Sequence, residues 1–158
     1  MSGYLPTPEG NERLRDLYAM LGGIPDARLD LCTWRSFGDL EQSDSTLLSS
    51  CGTTACAVGW AGAYPLFKAQ GFSCNPVPEF EHSQHWNAVQ KFFGLSEEEF
   101  VHLFLAQSHA HSSGRKARMA VMARIRELLR KRNVISAERD RELAELEARG
   151  LLARGLLE

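Results

Sequence analysis

The sequence predicts an all-α or mostly α protein: a single compact domain of about six helices, with a basic helix and then an acidic helix at its C-terminal end. Three observations carry that prediction. Apolar residues recur at helical spacing in one segment after another. Capping residues and breakers bracket those segments. Alternation of period two is too sparse for a sheet-based fold. A chain of 158 residues fits one domain, with residues 1–133 expected as the globular helical part and 134–158 as a C-terminal helix and apolar tail.

Thr7 reads as an N-cap followed by proline at the first helical position, and Leu14, Leu17, Tyr18 and Leu21 then mark one face at i, i+3, i+4 and i+7. Gly22-Gly23 is expected to close this first helix through a left-handed residue. Leu29, Leu31 and Thr33 alternate with Asp30 and Cys32 as in a short extended segment, and residues 38–50 are rich in side chains that compete with helix, so they read as a loop. Thr53 is expected to cap a short helix starting at Thr54, in which Cys56, Gly59, Trp60 and Ala63 share a face. Gly59 and Gly62 each cost about 1 kcal/mol in a helix relative to alanine, which points to close packing against another backbone or to approach of a ligand. Pro65 disfavours helix at Tyr64 and ends this element.

Phe72 to Ser83, with Pro76 and Pro78, reads as a loop, and Ser83 as the cap of a helix carrying Trp86, Val89, Gln90 and Phe93 to a stop at Gly94. Ser96 and Glu99 form a capping box for a helix burying Phe100, Leu103 and Phe104. His109-Ala110-His111 is expected to be a solvated link. Beyond it, Val121, Met122, Ile125, Leu128 and Leu129 stripe the basic helix. Ser136 then starts an acidic helix over 137–149, and the repeated Ala-Arg-Gly-Leu-Leu tail is expected to dock on the body or on a second copy.

Charge is segregated along the chain. Residues 1–114 carry 6 basic and 13 acidic side chains, residues 115–132 carry 8 and 1, and residues 133–158 carry 4 and 6. The basic helix therefore has two electrostatic partners open to it, a nucleic acid or the acidic body of its own molecule. Hydrophobic residues at 44% and charged residues at 24% exclude a wholly disordered chain. No apolar run approaches the roughly 18 residues of a membrane span. The first residues carry neither the basic nor the apolar part of a signal peptide, so a cytoplasmic address and reduced thiols at Cys32, Cys51, Cys56 and Cys74 are expected.

The cysteines supply the candidate chemistry. Cys51, just ahead of the expected helix start, would feel unpaired amides and positive dipole, the setting that lowers a thiol pKa; it is the candidate catalytic residue, with Thr53 and Thr54 as an anion cradle. The bland alternative is a small residue fitting a tight turn. Cys51 and Cys56 are five apart and no close C-x-x-C or H-x-x-x-H pairing exists, so no metal and no cofactor is expected. Trp34, Trp60 and Trp86 are expected as core anchors, with Trp60 also a candidate binding residue. Arg115, Arg124, Arg126 and Arg130 on the basic helix, with Met119 projecting among them, complete the candidate binding residues.

Cys51-Gly52-Thr53, Ala55-Cys56 and Gly59-Trp60-Ala61 together resemble the C-G-T-x-x-C-x-x-G-W/H-A signature of a family of small uncharacterised bacterial and phage proteins. The likeness extends over roughly residues 24–130, through Leu29-Asp30-Leu31 to Trp34, Pro65 to Phe72, Phe92-Phe93-Gly94-Leu95-Ser96 and Arg124-Ile125-Arg126. It implies relatives and a mobile-element origin, and no reaction. The leading reading is a small intracellular interaction protein that binds a host macromolecule or itself, with a protein partner or homo-oligomer expected and no membrane. The alternatives are a cysteine-dependent enzyme or anion binder using Cys51, and a nucleic-acid binder using the helix over 115–132.

Overall fold

In the computed structural model, residues 6–32, 34–36, 44, 54–74 and 77–149 are described. They form a mostly helical fold with two small sheets. In chain order the elements are α1 (Pro8–Gly22), β1 (Arg35–Ser36), β2 (Thr54–Ala55), α2 (Ala57–Ala63), α3 (Pro65–Lys68), β3 (Ser73–Cys74), β4 (Pro78–Phe80), β5 (Ser83–Gln84), α4 (His85–Phe93), α5 (Glu97–Phe104), α6 (Gly114–Lys131) and α7 (Ala137–Ala148). Single 3-10 turns lie at Asp26–Arg28 and Ala106–Ser108.

Local chemistry sets most of the helix ends. The Gly10 amide donates to the Thr7 hydroxyl at 2.9 Å ahead of Pro8. The Ser96–Glu99 capping box is formed in both directions, at 3.2 and 2.8 Å. Gly94 ends α4 in the left-handed conformation at φ 65°, whereas Gly23 ends α1 at φ −100°, without the left-handed turn expected there. Ser136 accepts from the Arg139 amide at 3.0 Å to open α7.

Three expectations are overturned in the middle of the chain. The segment with Pro76 and Pro78 expected as a loop contains a three-stranded antiparallel sheet, β3-β4-β5. Cys74 pairs with Pro78 and Phe80 with Ser83, so the fold is not purely all-α. Ser83 lies in β5, and the cap position of α4 falls to Gln84, which makes no side-chain capping bond. The helix expected from Thr54 starts at Ala57; Thr54 and Ala55 instead pair with Ser36 and Arg35 in a second small sheet. At Leu29 and Asp30 the chain makes only isolated bridges, Leu29 to Ala55 and Asp30 to Ser113.

α2 sits in the middle of the core with all seven residues buried. Its glycines admit backbone from both sides. A Cβ on Gly59 would lie 1.7 Å from the Trp34 carbonyl oxygen, and one on Gly62 would lie 2.4 Å from Cys74 Cβ and 2.5 Å from its amide nitrogen. One glycine thus seats the approach to β1 and the other seats β3. Around α2, Leu14, Leu17 and Leu21 of α1 meet Val121, Ile125 and Leu129 of α6, and Phe67, Phe72, Phe92 and Phe93 form an aromatic cluster in which Phe72 stacks on Phe92 at 4.5 Å. No helix among the described residues is long and apolar enough to cross a membrane.

Candidate functional site

The pairing of β1 with β2 places Trp34 beside the start of α2, opposite the first turn of α4. A cleft of about 580 Å³ opens there, lined among the described residues by Leu31, Cys32, Trp34, Cys56, Trp86, Leu105, Ala106 and Gln107. Trp34 and Trp86 are partly exposed, with ring centroids 4.5 Å apart and planes tilted by 54°. Phe100 stacks behind Trp86 at 4.9 Å and 16°, so the indole is braced from within the core. Among the described lining residues, polar functions come from the exposed Cys32 thiol and the Gln107 amide. Asp30 accepts from the Cys32 amide at 2.9 Å, and this turn brings Leu31 and Cys32 to the rim.

At the floor lies Cys56, which proves to be the N-cap of α2: its Sγ accepts from the Gly59 amide at 3.5 Å. Burial pushes this thiol up to about 11, against the lowering effect of the amides around it. A neutral, buried thiol of that kind is a packing group and not a nucleophile. The wall opposite is latched by histidine. His109, expected in a solvated link, is partly buried, and its Nε2 donates to the Leu103 carbonyl at 2.9 Å. Burial holds its pKa below 6.5.

The sequence-predicted residues are dispersed. Cys51 and Thr53 lie outside the described residues. Thr54 is in β2, two residues ahead of the Cys56 N-cap of α2. Trp60 is 7% exposed; its Nε1 donates to the Arg28 carbonyl at 3.0 Å and the Arg28 guanidinium covers its ring at 4.9 Å. It anchors the core outside the cleft.

The basic helix is largely engaged with its own molecule. Arg124 Nη1 donates to the His102 carbonyl at 2.7 Å. Arg126 Nη1 donates to Asp140 Oδ1 at 2.5 Å, and its Nε lies 2.5 Å from Glu147 Oε2 as an ion pair. Burial works against the Arg126 charge, yet the carboxylates of Glu147 and Asp140 outweigh it and raise the pKa. Arg130 Nε donates to Asp140 Oδ2 at 3.1 Å. Arg115 is exposed and Met119 is half-buried. Among the described residues, no group of three or more metal-binding side chains converges.

The cleft residues Leu31, Cys32, Leu105, Ala106 and Gln107 come from separated turns with no shared period, so no sequence pattern marks them. Nor does spacing single out Arg132, 8% exposed, which donates to Asn11, the Gly94 carbonyl and Glu99 at 2.8–2.9 Å. Comparison with family models, curated proteins and solved structures finds no match.

Proposed function

We propose that the chain is a small interaction protein that binds a partner protein through the Trp34–Trp86 cleft. The observation that carries this reading is the pair of partly exposed, mutually packed tryptophans lining an apolar cavity of about 580 Å³. Tryptophans braced from behind lose little freedom on binding, and they dominate contact energies where a partner fills a desolvated pocket. The polar groups at the rim supply orientation, and Cys56 below them is a buried thiol that caps α2, its pKa raised by burial. The internal pairing of Arg126 and Arg130 favours this reading over a nucleic-acid surface, because those cations already neutralise carboxylates of α7. The resemblance carried by Cys51-Gly52-Thr53 adds a phage or mobile-element origin, a cytoplasmic setting and a host macromolecule as partner to the proposal.

Capture from lysate tests it. Immobilised wild-type protein is compared with Ala106→Arg, which places a long cation in the cleft wall while leaving the aromatic core intact. The expected result is a defined partner retained by the wild type and lost from the variant, with unchanged melting of the variant as control. Equal capture by both proteins, or capture of nothing by either, overturns the proposal. A nucleic-acid role is probed separately with Arg115→Ala/Lys116→Ala, since both side chains are exposed; salt-sensitive duplex binding that these changes abolish would replace the cleft reading.

A further inference from the structure

α7 is held to the body more by charge than by apolar area. Only Leu143 and Glu147 of its 12 residues are buried. Glu147 Oε2 accepts from the Tyr18 hydroxyl at 2.5 Å and pairs with Arg126, and Asp140 bridges Arg126 and Arg130. Asp140, Leu143 and Glu147 fall on one helical face at i, i+3 and i+7. The surface made by α1 and α6 is therefore a receptor for an acidic helix with one apolar residue at its centre. α7 is the acidic helix tethered to it.

The tether between the two helices is short. α6 ends with Asn133 in the left-handed region at φ 60°, while the Val134 amide donates to the Leu129 carbonyl at 2.9 Å. This is the closing turn in which glycine is the relaxed choice. Yet Lys131-Arg132-Asn133-Val134-Ile135-Ser136 contains neither glycine nor proline. Nothing in its covalent structure prevents α6 from running straight into α7, and returning Asn133 to right-handed helix would relieve the strain at that residue. A straight helix would carry Asp140, Leu143 and Glu147 away from their own body. The buried Ile135 would leave its place as well, to be covered again where the straightened hinges of two copies lie side by side.

We propose that α7 exchanges between two copies of this chain, each copy's α7 seating its Asp140–Leu143–Glu147 face on the α1/α6 surface of the other. The occupant is a second copy because the matching acidic face and its cationic receptor are both present in every chain. This inference does not rest on the Trp34–Trp86 cleft, and purified protein alone tests it.

Charge reversal in trans is the decisive experiment. In Arg126→Glu, residue 126 faces its own Glu147; in Glu147→Arg, Arg126 faces a second arginine. In an exchanged pair formed between the two variants both contacts become opposite-charge pairs. Light scattering after chromatography is expected to show a 1:1 dimer in the mixture and no comparable dimer in either variant alone. Two monomer peaks in the mixture, or equal dimer in each variant alone, overturn the proposal. Hinge variants keep the test sharp if a reversal fails to fold. The wild-type chain should dimerise as its concentration approaches the roughly millimolar local concentration of a short tether. Asn133→Ala, strained at a left-handed position, should lower that threshold by about tenfold, and Asn133→Gly, relaxed there, should raise it. Identical behaviour of the two hinge variants overturns the exchange.

Discussion

Replacing Gly59 with alanine should destabilise the protein although it improves helix propensity. The added methyl would lie 1.7 Å from the Trp34 carbonyl oxygen, 2.8 Å from its carbon and 2.9 Å from Ala55 Cβ. Favourable carbon contacts begin near 3.5 Å, so the Trp34 backbone must retreat by well over an ångström. Overpacking of this kind costs typically 1–3 kcal/mol, occasionally more, and the obstacle here is main chain, which cannot rotate aside. Set against a gain of about 1 kcal/mol in helix propensity, the upper end of that cost leaves a net loss of about 2 kcal/mol. Urea unfolding followed by far-ultraviolet circular dichroism measures the loss, and a fall in Tm of about 4–8 °C should accompany it. Because the displaced carbonyl belongs to Trp34, the near-ultraviolet spectrum of the folded variant should change too. Gly62→Ala should behave likewise. Gly23→Ala, whose Cβ would sit 3.6 Å from the nearest atom at φ −100°, should stay within about 0.5 kcal/mol. A Gly59→Ala variant as stable as the wild type would refute the close approach of β1 to α2.

Other outcomes follow from the ionic and titratable groups. Arg126→Ala leaves the Glu147 carboxylate, 2% exposed, without its cation and should cost about 3–5 kcal/mol in urea unfolding, whereas Arg115→Ala should change stability by less than about 0.5 kcal/mol. Alkaline conditions should unfold the protein. The Cys56 thiol is raised from 9.0 to about 11 by burial, and burial together with the Glu147 bond raises the Tyr18 hydroxyl. The unfolded chain therefore loses these protons first, and stability should fall by about 1.4 kcal/mol per pH unit for each group that titrates only when unfolded; Cys56→Ala should flatten the slope between pH 9 and 11. The sign reverses at His109. Its folded pKa lies below 6.5, so the unfolded state binds the extra proton and stability should decline as pH drops through 6.5, a decline absent from His109→Gln. With a thiol-reactive chromophore at pH 7.5, Cys32 should react in the folded state while Cys56 waits for unfolding.

The helices were legible because their signals are local and redundant. α1 and α5 each join a side-chain cap to an apolar period, so two independent features agree on the same boundary, and α7 is opened by its Ser136 cap. The strands are two or three residues long, too short for alternation to register. Their tightest turn, Glu81-His82, takes left-handed φ values of 46° and 69° without the asparagine or glycine that normally signals a hairpin. The start of α2 was displaced for a related reason. Thr53 and Thr54 have the better capping hydroxyls, but pairing of Thr54 with Ser36 holds that stretch extended until Cys56, whose sulfur is a weaker acceptor, takes the cap. Tertiary pairing decided between two local options, and sequence spacing alone does not record such a decision. The same holds for the cleft, which depends on Trp34 and Trp86 meeting across 52 positions of chain.

The basic helix shows most clearly what a sequence conceals about electrostatics. Its eight cations and single carboxylate resemble a surface awaiting a polyanion, yet the acceptors are supplied within the fold: Asp26 for Arg118, the His102 carbonyl for Arg124, Asp140 and Glu147 for Arg126 and Arg130, and Glu99 for Arg132. These arginines tie α6 to α1, α5, α7 and the turn at Asp26–Arg28, so the helix works as a hub of directional contacts. An apolar hub would have been stickier and less selective, because burial of hydrocarbon rewards many registers while a guanidinium between two carboxylates rewards few. That selectivity underlies the proposed exchange of α7: the α1/α6 surface recognises Asp140, Leu143 and Glu147 whether they arrive from its own chain or from a second copy, and Asn133 sets which of the two is preferred.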